Sequence, residues 1–71
     1  MATLGRVIVE LRESRNWSQS KLSRMSDLST PTVASIESGD GNPTVESLEK
    51  IASALDTTVP ELYAMASKGD D

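Results

Sequence analysis

The sequence of 71 residues contains no cysteine, no histidine and no phenylalanine. The lack of cysteine excludes disulfides and thiol chemistry, and the lack of both cysteine and histidine excludes most zinc and iron sites. Histidine is also the commonest general base in enzymes, so its absence disfavours catalysis. We therefore expect a protein that is not an enzyme and that uses neither a metal nor another cofactor.

Aromatic residues are scarce as well, with Trp17 and Tyr63 as the only two. The apolar residues are mostly Leu, Ile, Val, Ala and Met, a set that favours packed helices over a β-sheet. No apolar run approaches the length of a membrane span, and the first residues lack the apolar stretch of a secretory signal. The sequence thus predicts a cytoplasmic protein without a membrane partner, and its length predicts one domain over residues 1–71.

The charged residues are unevenly distributed along a chain whose net charge is −4. Residues 1–36 carry five basic and three acidic side chains, a net charge of +2. Residues 37–71 carry two basic and eight acidic side chains, a net charge of −6. Because the distribution of charge matters more than its total, the basic half is a candidate for contact with a nucleic acid. The acidic half is either a solvated face or a surface for a protein partner.

The spacing of apolar residues predicts five short helices and an all-α fold. In the second helix Leu22 and Met25 are expected to be buried, and in the fourth Val45 is expected to lie on the buried face. Residues 3–67 are expected to be ordered, and residues 68–71 to form a flexible tail. The helices are predicted at about 3–15, 19–26, 30–38, 45–55 and from 59 onward.

Polar residues mark the ends of these helices. Ser18 and Ser29 are predicted N-caps of the second and third helices, and Thr58 with Glu61 has the spacing of a capping box. Asp27 lies at the tight turn between the second and third helices, where aspartate tolerates the left-handed conformation that a helix end often requires. Two short helices joined in this way are typical of a helix-turn-helix, whose second helix enters the major groove of DNA.

A larger set of residues surrounds this pair of helices at a characteristic order and spacing. The set is Leu11, Arg12, Trp17, Ser18, Gln19, Leu22, Ser23, Leu28, Ser29, Val33, Ile36, Glu37, Gly39, Asn42, Pro43, Thr44, Leu48, Ile51, Ala52, Leu55, Glu61 and Leu62. Over about residues 4–63 the sequence therefore resembles the Cro/repressor-type helix-turn-helix family, named for a xenobiotic response element. Phage repressors, restriction-modification controller proteins and antitoxins that repress their own operons are similar to it.

The resemblance implies a compact five-helix domain like that of lambda repressor, with the helix-turn-helix at its centre. It implies a transcription regulator that binds a double-stranded DNA operator, and we expect a homodimer on a two-fold site. Gln19 matches the position that meets the DNA backbone, and Arg12 and Glu37 match an internal ion pair between the first and third helices. The predicted base-contacting residues, all on the third helix, are Thr30, Pro31, Thr32, Ala34 and Ser35.

Several further residues have both a functional and a purely structural interpretation. Trp17 is expected to lie in the core, whereas Tyr63 and Met65 either cover the core or form a dimer interface. Ser18 and Ser29 are helix caps in the first place, although a cap can also donate to a phosphate. Arg15, Lys21 and Arg24 either contact phosphates or are ordinary solvated charges. Besides Gln19, the residues predicted to contact DNA phosphates are Ser18, Lys21, Arg15 and Asn42.

Some residues depart from the family's pattern. Asp27 and Asp56 stand where the family commonly has glycine, and Asp40 stands in a loop where it often has a basic residue. Pro31 and Ala34 offer only apolar contact, and no side chain there makes the bidentate contact that arginine gives guanine. These departures leave an alternative open, an interaction module or antitoxin-like protein that keeps the scaffold and binds a protein partner through its acidic half.

Overall fold

The computed structural model describes residues 3–39 and 43–68. These residues form five α-helices and no strand, as the sequence predicts. The helices are α1 (Leu4–Ser14), α2 (Gln19–Ser26), α3 (Thr30–Ser38), α4 (Val45–Ala54) and α5 (Val59–Lys68). The last helix continues into the predicted tail, whose remaining residues 69–71 lie outside the described part. None of these five helices is both long and apolar enough to cross a membrane.

Hydroxyl side chains begin the first four helices. Each accepts a hydrogen bond from the backbone N–H three residues further on, at 3.0–3.2 Å. Such a bond satisfies one of the N–H groups that a helix leaves without a partner at its start, and is worth about 1 kcal/mol. The four caps are Thr3, Ser18, Ser29 and Thr44.

The capping box predicted before α5 is only half formed. The Thr58 hydroxyl accepts the N–H of Glu61 at 3.3 Å, as the pattern requires. The Glu61 carboxylate does not complete the box, because it accepts a hydrogen bond from the Thr57 hydroxyl at 3.0 Å. The neighbouring hydroxyl competes for the same carboxylate, and this second contact still ties the glutamate to the start of the helix.

The core lies between helices that pack in five pairs. α1 contacts α3 and α5, α2 contacts α3 and α4, and α4 contacts α5. The larger cluster of buried residues comprises Ile8, Leu22, Val33, Ile36, Leu48, Ile51 and Leu55. A smaller cluster, beneath α5, comprises Val7, Ala52 and Leu62. α2 and α3 are thus held against the same apolar core, which fixes how the helix-turn-helix is presented.

A glycine permits the close approach of α1 to the end of α3. Gly5 lies in the first turn of α1, directly against the backbone of Glu37. A Cβ atom added at Gly5 would overlap the carbonyl oxygen of Glu37 and lie 2.7 Å from that of Ile36. Only glycine therefore fits between the two helices at this separation.

Two residues that the apolar pattern predicts to be buried are exposed. Met25 is 50% exposed, because α2 buries the face formed by Leu22, Ser23 and Ser26. Val45 is 69% exposed, since it is the first residue of α4 and the buried residues of that helix begin only at Leu48. Both predictions were wrong because the neighbouring elements decide which residues are buried. α2 packs through Leu22 and two serines instead of its methionine, and the first residue of α4 lies beyond the part of that helix that packs on the core.

Candidate nucleic-acid interface

The turn between α2 and α3 is built from backbone hydrogen bonds. Asp27 takes the left-handed conformation with φ 59°, and its N–H donates to the carbonyl of Arg24 at 3.4 Å. The N–H of Leu28 donates to the carbonyl of Ser23 at 2.9 Å. These are the two bonds of a Schellman motif, which ends α2 sharply and redirects the chain into α3. Aspartate therefore fills the position in which the sequence pattern led us to expect a left-handed residue.

Small hydroxyl residues set the contact between α2 and α3. Ser23 and Ser26 are 6% and 3% exposed, and both donate to carbonyls of their own helix, Ser26 to Leu22 at 2.6 Å. The Ser23 hydroxyl also lies 3.1 Å from the hydroxyl of Thr30 at the start of α3. Thr30, which was predicted to contact bases, thus also joins the two helices through its hydroxyl.

The outer face of α3 carries the other predicted base contacts. Pro31 is exposed, and Thr32, Ala34 and Ser35 are half-buried. The hydroxyls of Thr32 and Ser29 lie 2.7 Å apart, so that of Thr32 is part of the cap. Among the residues described, the hydroxyl of Ser35 makes no hydrogen bond. Beside this face runs a groove formed with the start of α4, and its lining includes Pro31, Ser35, Pro43 and Thr44.

A bidentate ion pair joins α1 to α3 beneath this face. The Nε atom of Arg12 donates to Glu37 Oε2 at 2.8 Å, and its Nη2 donates to Oε1 at 3.2 Å. The third donor, Nη1, reaches the carbonyl of Trp17 at 2.8 Å. The side chains are 12% and 4% exposed. The hydrogen bond to Glu37 and the charge of that carboxylate raise the pKa of Arg12, against the opposing effect of burial, so the guanidinium remains charged.

Gln19 belongs to the same network. Its Nε2 atom donates to Glu37 Oε1 at 2.9 Å, across 18 residues of sequence. A carboxylate can only accept, so this contact determines that the amide nitrogen faces inward. The second hydrogen of that nitrogen is not needed for the contact. Glu37 therefore holds the first side chain of α2 in a defined orientation.

The starts of α2 and α3 are electrostatically suited to an anion. Neither helix has an acidic residue in its first turn, whereas α4 and α5 carry Glu46 and Glu61 there. The N-terminus of a helix carries a partial positive charge, which acidic residues would otherwise offset. Ser18 caps α2 and accepts from the N–H of Lys21 at 3.1 Å, and its hydroxyl hydrogen remains available to donate.

The two basic residues predicted to contact phosphates both lie against Trp17. The guanidinium of Arg15 is 5.4 Å from the centre of the ring, and the ammonium of Lys21 is 6.0 Å from it. Arg15 also donates to the carbonyl of Leu55, at the end of α4, at 2.8 Å. Arg15 therefore links the end of α1 to the end of α4.

The remaining predicted site residues lie apart from this face or outside the described part. Asp40 and Asn42 lie in the segment 40–42, outside the residues that the structure describes. Tyr63 on α5 is 52% exposed. Met65 is half-buried and packs against the cluster of Val7, Ala52 and Leu62.

Sequence reasoning missed three contacts that shape the interface. They are the bonds from Gln19 to Glu37, from Thr30 to Ser23 and from Arg15 to Leu55. The first and last join residues 18 and 40 positions apart, and no local pattern encodes such a pairing. The spacing of Ser23 and Ser26 on α2 was the one available signal, because two small polar residues beside Leu22 permit a close helix contact.

Comparison with known proteins gives results that agree with this geometry. The model of the family described as helix-turn-helix matches residues 8–62. The HTH-type transcriptional regulator AnsR of Bacillus subtilis (strain 168) is 36% identical over 55 residues, which are 78% of this chain and 47% of AnsR. The chain therefore spans about half the length of this curated relative.

Solved structures share the arrangement of the helices. The restriction-modification controller protein C.AhdI from Aeromonas hydrophila superposes with a TM-score of 0.80 at 34% identity, over 83% of this chain and 89% of that one. The N-terminal DNA binding domain of SinR from Bacillus subtilis superposes with a TM-score of 0.79 at 30% identity, over 84% and 88% of the two chains. Both likenesses extend over nearly the whole of each chain.

Proposed function

The chain belongs to the helix-turn-helix family, and from this premise we propose that it binds specific sequences of double-stranded DNA as a transcription regulator. In this proposal α3 enters the major groove, and Thr30, Pro31, Thr32, Ala34 and Ser35 form the face that meets the bases. Ser18, Gln19 and Lys21 contact phosphates at the start of α2, and Asn42 is proposed to do so as well. The protein acts in the cytoplasm, as a repressor or controller of its own operon.

The contact between Gln19 and Glu37 is the observation that carries this proposal. It holds an amide donor at the positive end of α2, beside the helix that faces the bases. A phosphate oxygen accepts hydrogen bonds from such donors, and these contacts position a protein on DNA without specifying sequence.

The proposal is tested by replacing Gln19 with alanine. Binding to a selected operator and to random duplex should weaken by a similar factor, about tenfold for one hydrogen bond to a charged group of ~1.5 kcal/mol. Mobility shifts at fixed salt measure both affinities. The matched control is Ser53→Ala on α4, an exposed side chain that takes no part in the hydrogen bonds of Gln19, and it should change neither affinity. A Gln19→Ala variant that folds and keeps wild-type affinity for both duplexes contradicts the assignment.

We propose that the regulator is a homodimer that uses α5. Tyr63 is the large apolar residue that α5 exposes. Met65 also packs against the core, so its replacement would affect folding as well as association, and Tyr63 is therefore the residue to replace. A two-fold operator then has half-sites about one helical turn apart, roughly 10 bp. Sedimentation should show a dimer that Tyr63→Ser dissociates and that Met25→Ser, equally exposed on α2, leaves intact. A monomer at high concentration, both free and on DNA, contradicts this.

A second candidate function is an interaction module that binds a protein partner through the acidic half. It is favoured by a groove between α4 and α5 whose lining includes Glu49, Asp56 and Glu61. The two functions differ in their response to salt on random duplex DNA. Binding that weakens linearly on a logarithmic salt scale supports the regulator, and no binding at any salt concentration supports the interaction module.

A further inference from the structure

The outer face of α3 lacks the side chains that recognise purines by paired hydrogen bonds. The helix has the sequence TPTVASIES, without Arg, Lys, Asn or Gln. Guanine is recognised in the major groove chiefly by bidentate Arg or Lys, and adenine by bidentate Asn or Gln. If α3 contacts bases, as proposed above, it must recognise another feature of the groove.

The hydroxyl groups of α3 do not supply that feature. Thr30 is engaged with Ser23 of α2 at 3.1 Å, and Thr32 is engaged with the cap residue Ser29 at 2.7 Å. Ser35 retains a hydroxyl for DNA, and one hydroxyl accepts or donates to several base edges without distinguishing them well.

What α3 does present outward is apolar carbon. Pro31 is the exposed residue of its first turn, and its ring has no N–H to offer. The adjoining groove continues this surface, because its lining also includes Ile36 and Pro43. The only apolar group on the major-groove edge of the four bases is the C5-methyl of thymine.

We propose that α3 recognises its operator through thymine C5-methyl groups, with Pro31 as the specificity-determining residue. This inference rests on the proposed function and names the chemical feature of DNA that the same site selects. Half-sites should therefore contain thymine at the position that meets the start of α3. The polar contacts at Gln19 hold the helix in place, and the methyl contact distinguishes one sequence from another.

Replacement of single thymines by deoxyuridine tests this, because the exchange removes the methyl group and leaves base pairing unchanged. Duplexes bound from a random pool first define the operator, and each thymine of a half-site is then exchanged in turn. At the position that meets Pro31 we expect an affinity loss of about fourfold, the ~0.8 kcal/mol of one buried methylene-sized group. Placing 5-methylcytosine at that position in a cytosine-containing site should recover part of the affinity.

A variant identifies the residue responsible. In Pro31→Ser the deoxyuridine exchange should no longer matter, because the apolar partner is gone. Pro60→Ser is the matched control, since Pro60 is also exposed and is also the second residue of its helix. This control should retain the fourfold loss.

The outcomes separate the two proposals. A selected operator with no methyl-dependent thymine, or an equal loss in wild type and Pro31→Ser, overturns the inference and leaves the regulator intact. Absence of binding to any duplex overturns the proposed function and this inference together. A loss confined to wild type and Pro60→Ser establishes the methyl contact.

Discussion

At the residue scale, one carboxylate organises the interface. Glu37 accepts two hydrogen bonds from Arg12 and one from Gln19, and Arg12 also donates a hydrogen bond to the carbonyl of Trp17. A buried charge is costly unless it is paired and hydrogen-bonded, and here the donors surround it. Side chains from α1, α2 and α3 thereby meet at a single group, so the relative orientation of these three helices depends on it.

Removing one partner of this pair should be strongly destabilising. Glu37→Gln leaves the Arg12 charge without a counter-charge, and Arg12→Met leaves the Glu37 charge unpaired. Each should lower the free energy of unfolding by about 3–5 kcal/mol, the range for breaking a buried pair. Urea denaturation at constant pH measures the change.

The chain provides an exposed pair as a control. Arg6 and Glu10 lie 3.4 Å apart on α1 with side chains 62% and 60% exposed. Arg6→Met and Glu10→Gln should change the unfolding free energy by about 0–1 kcal/mol. If the variants of Glu37 and Arg12 fall in the same small range, the pair contributes no more than a surface contact.

At the scale of elements, small residues allow the helices to approach closely. Ser23 brings α2 against α3, and Gly5 brings α1 against the end of α3. The third helix is therefore in contact with two neighbours through positions where a larger side chain does not fit. The angle at which α3 packs against α1 and α2 therefore depends on these contacts.

Substitution of Gly5 by alanine tests whether the contact with α3 constrains α1. The test is whether the substitution lowers or raises the free energy of unfolding. In an unhindered helix glycine to alanine stabilises by roughly 0.5–1 kcal/mol. At Gly5 the new methyl group meets backbone carbonyls, which cannot rotate away, so Gly5→Ala should destabilise by about 1–3 kcal/mol. Thermal or urea unfolding gives the sign. Ser53→Ala, at an exposed position of α4, should be neutral or slightly stabilising. A stabilised Gly5→Ala variant would show that α1 is not constrained by α3.

At the scale of the whole molecule, charge is arranged with a direction. The half of the sequence that holds α2 and most of α3 is basic, and the half that holds α4 and α5 is acidic. The first turns follow the same division, since acidic residues occur at the starts of α4 and α5 and are absent from those of α2 and α3. A protein with a net negative charge can therefore still favour phosphate at the starts of α2 and α3.

Salt dependence distinguishes the two cations near Trp17. Lys21→Gln should reduce the magnitude of the slope of log affinity against log salt by about 0.9 per subunit, the value for one charged phosphate contact. Arg15→Gln should leave the slope unchanged and lower the unfolding free energy, because the guanidinium donates to the Leu55 carbonyl. Mobility shifts across a salt series give both slopes. Equal losses of slope in the two variants would place Arg15 on DNA.

The helices, the caps at Ser18 and Ser29 and the turn at Asp27 could be predicted from the sequence, because each depends on residues within one or two turns. Hydroxyls before apolar runs locate the helix starts, and the apolar spacing identifies the buried faces of α1 and α4. The prediction failed at Met25, because apolar spacing predicts that every apolar residue of the helix is buried. α2 instead packs through Leu22 and two serines. It also failed at Val45, where burial depends on how far the neighbouring helices extend.

The sequence by itself determined a small all-α domain, an uneven charge distribution and the resemblance to a DNA-binding family, because composition, period and local motif suffice for these. Only the tertiary structure decided which polar groups of the proposed interface are engaged within the protein. Thr30 and Arg15 are engaged by Ser23 and Leu55, and Gln19 is oriented by Glu37. These partners meet only after the helices have packed, so the chemistry of the interface is a consequence of the fold.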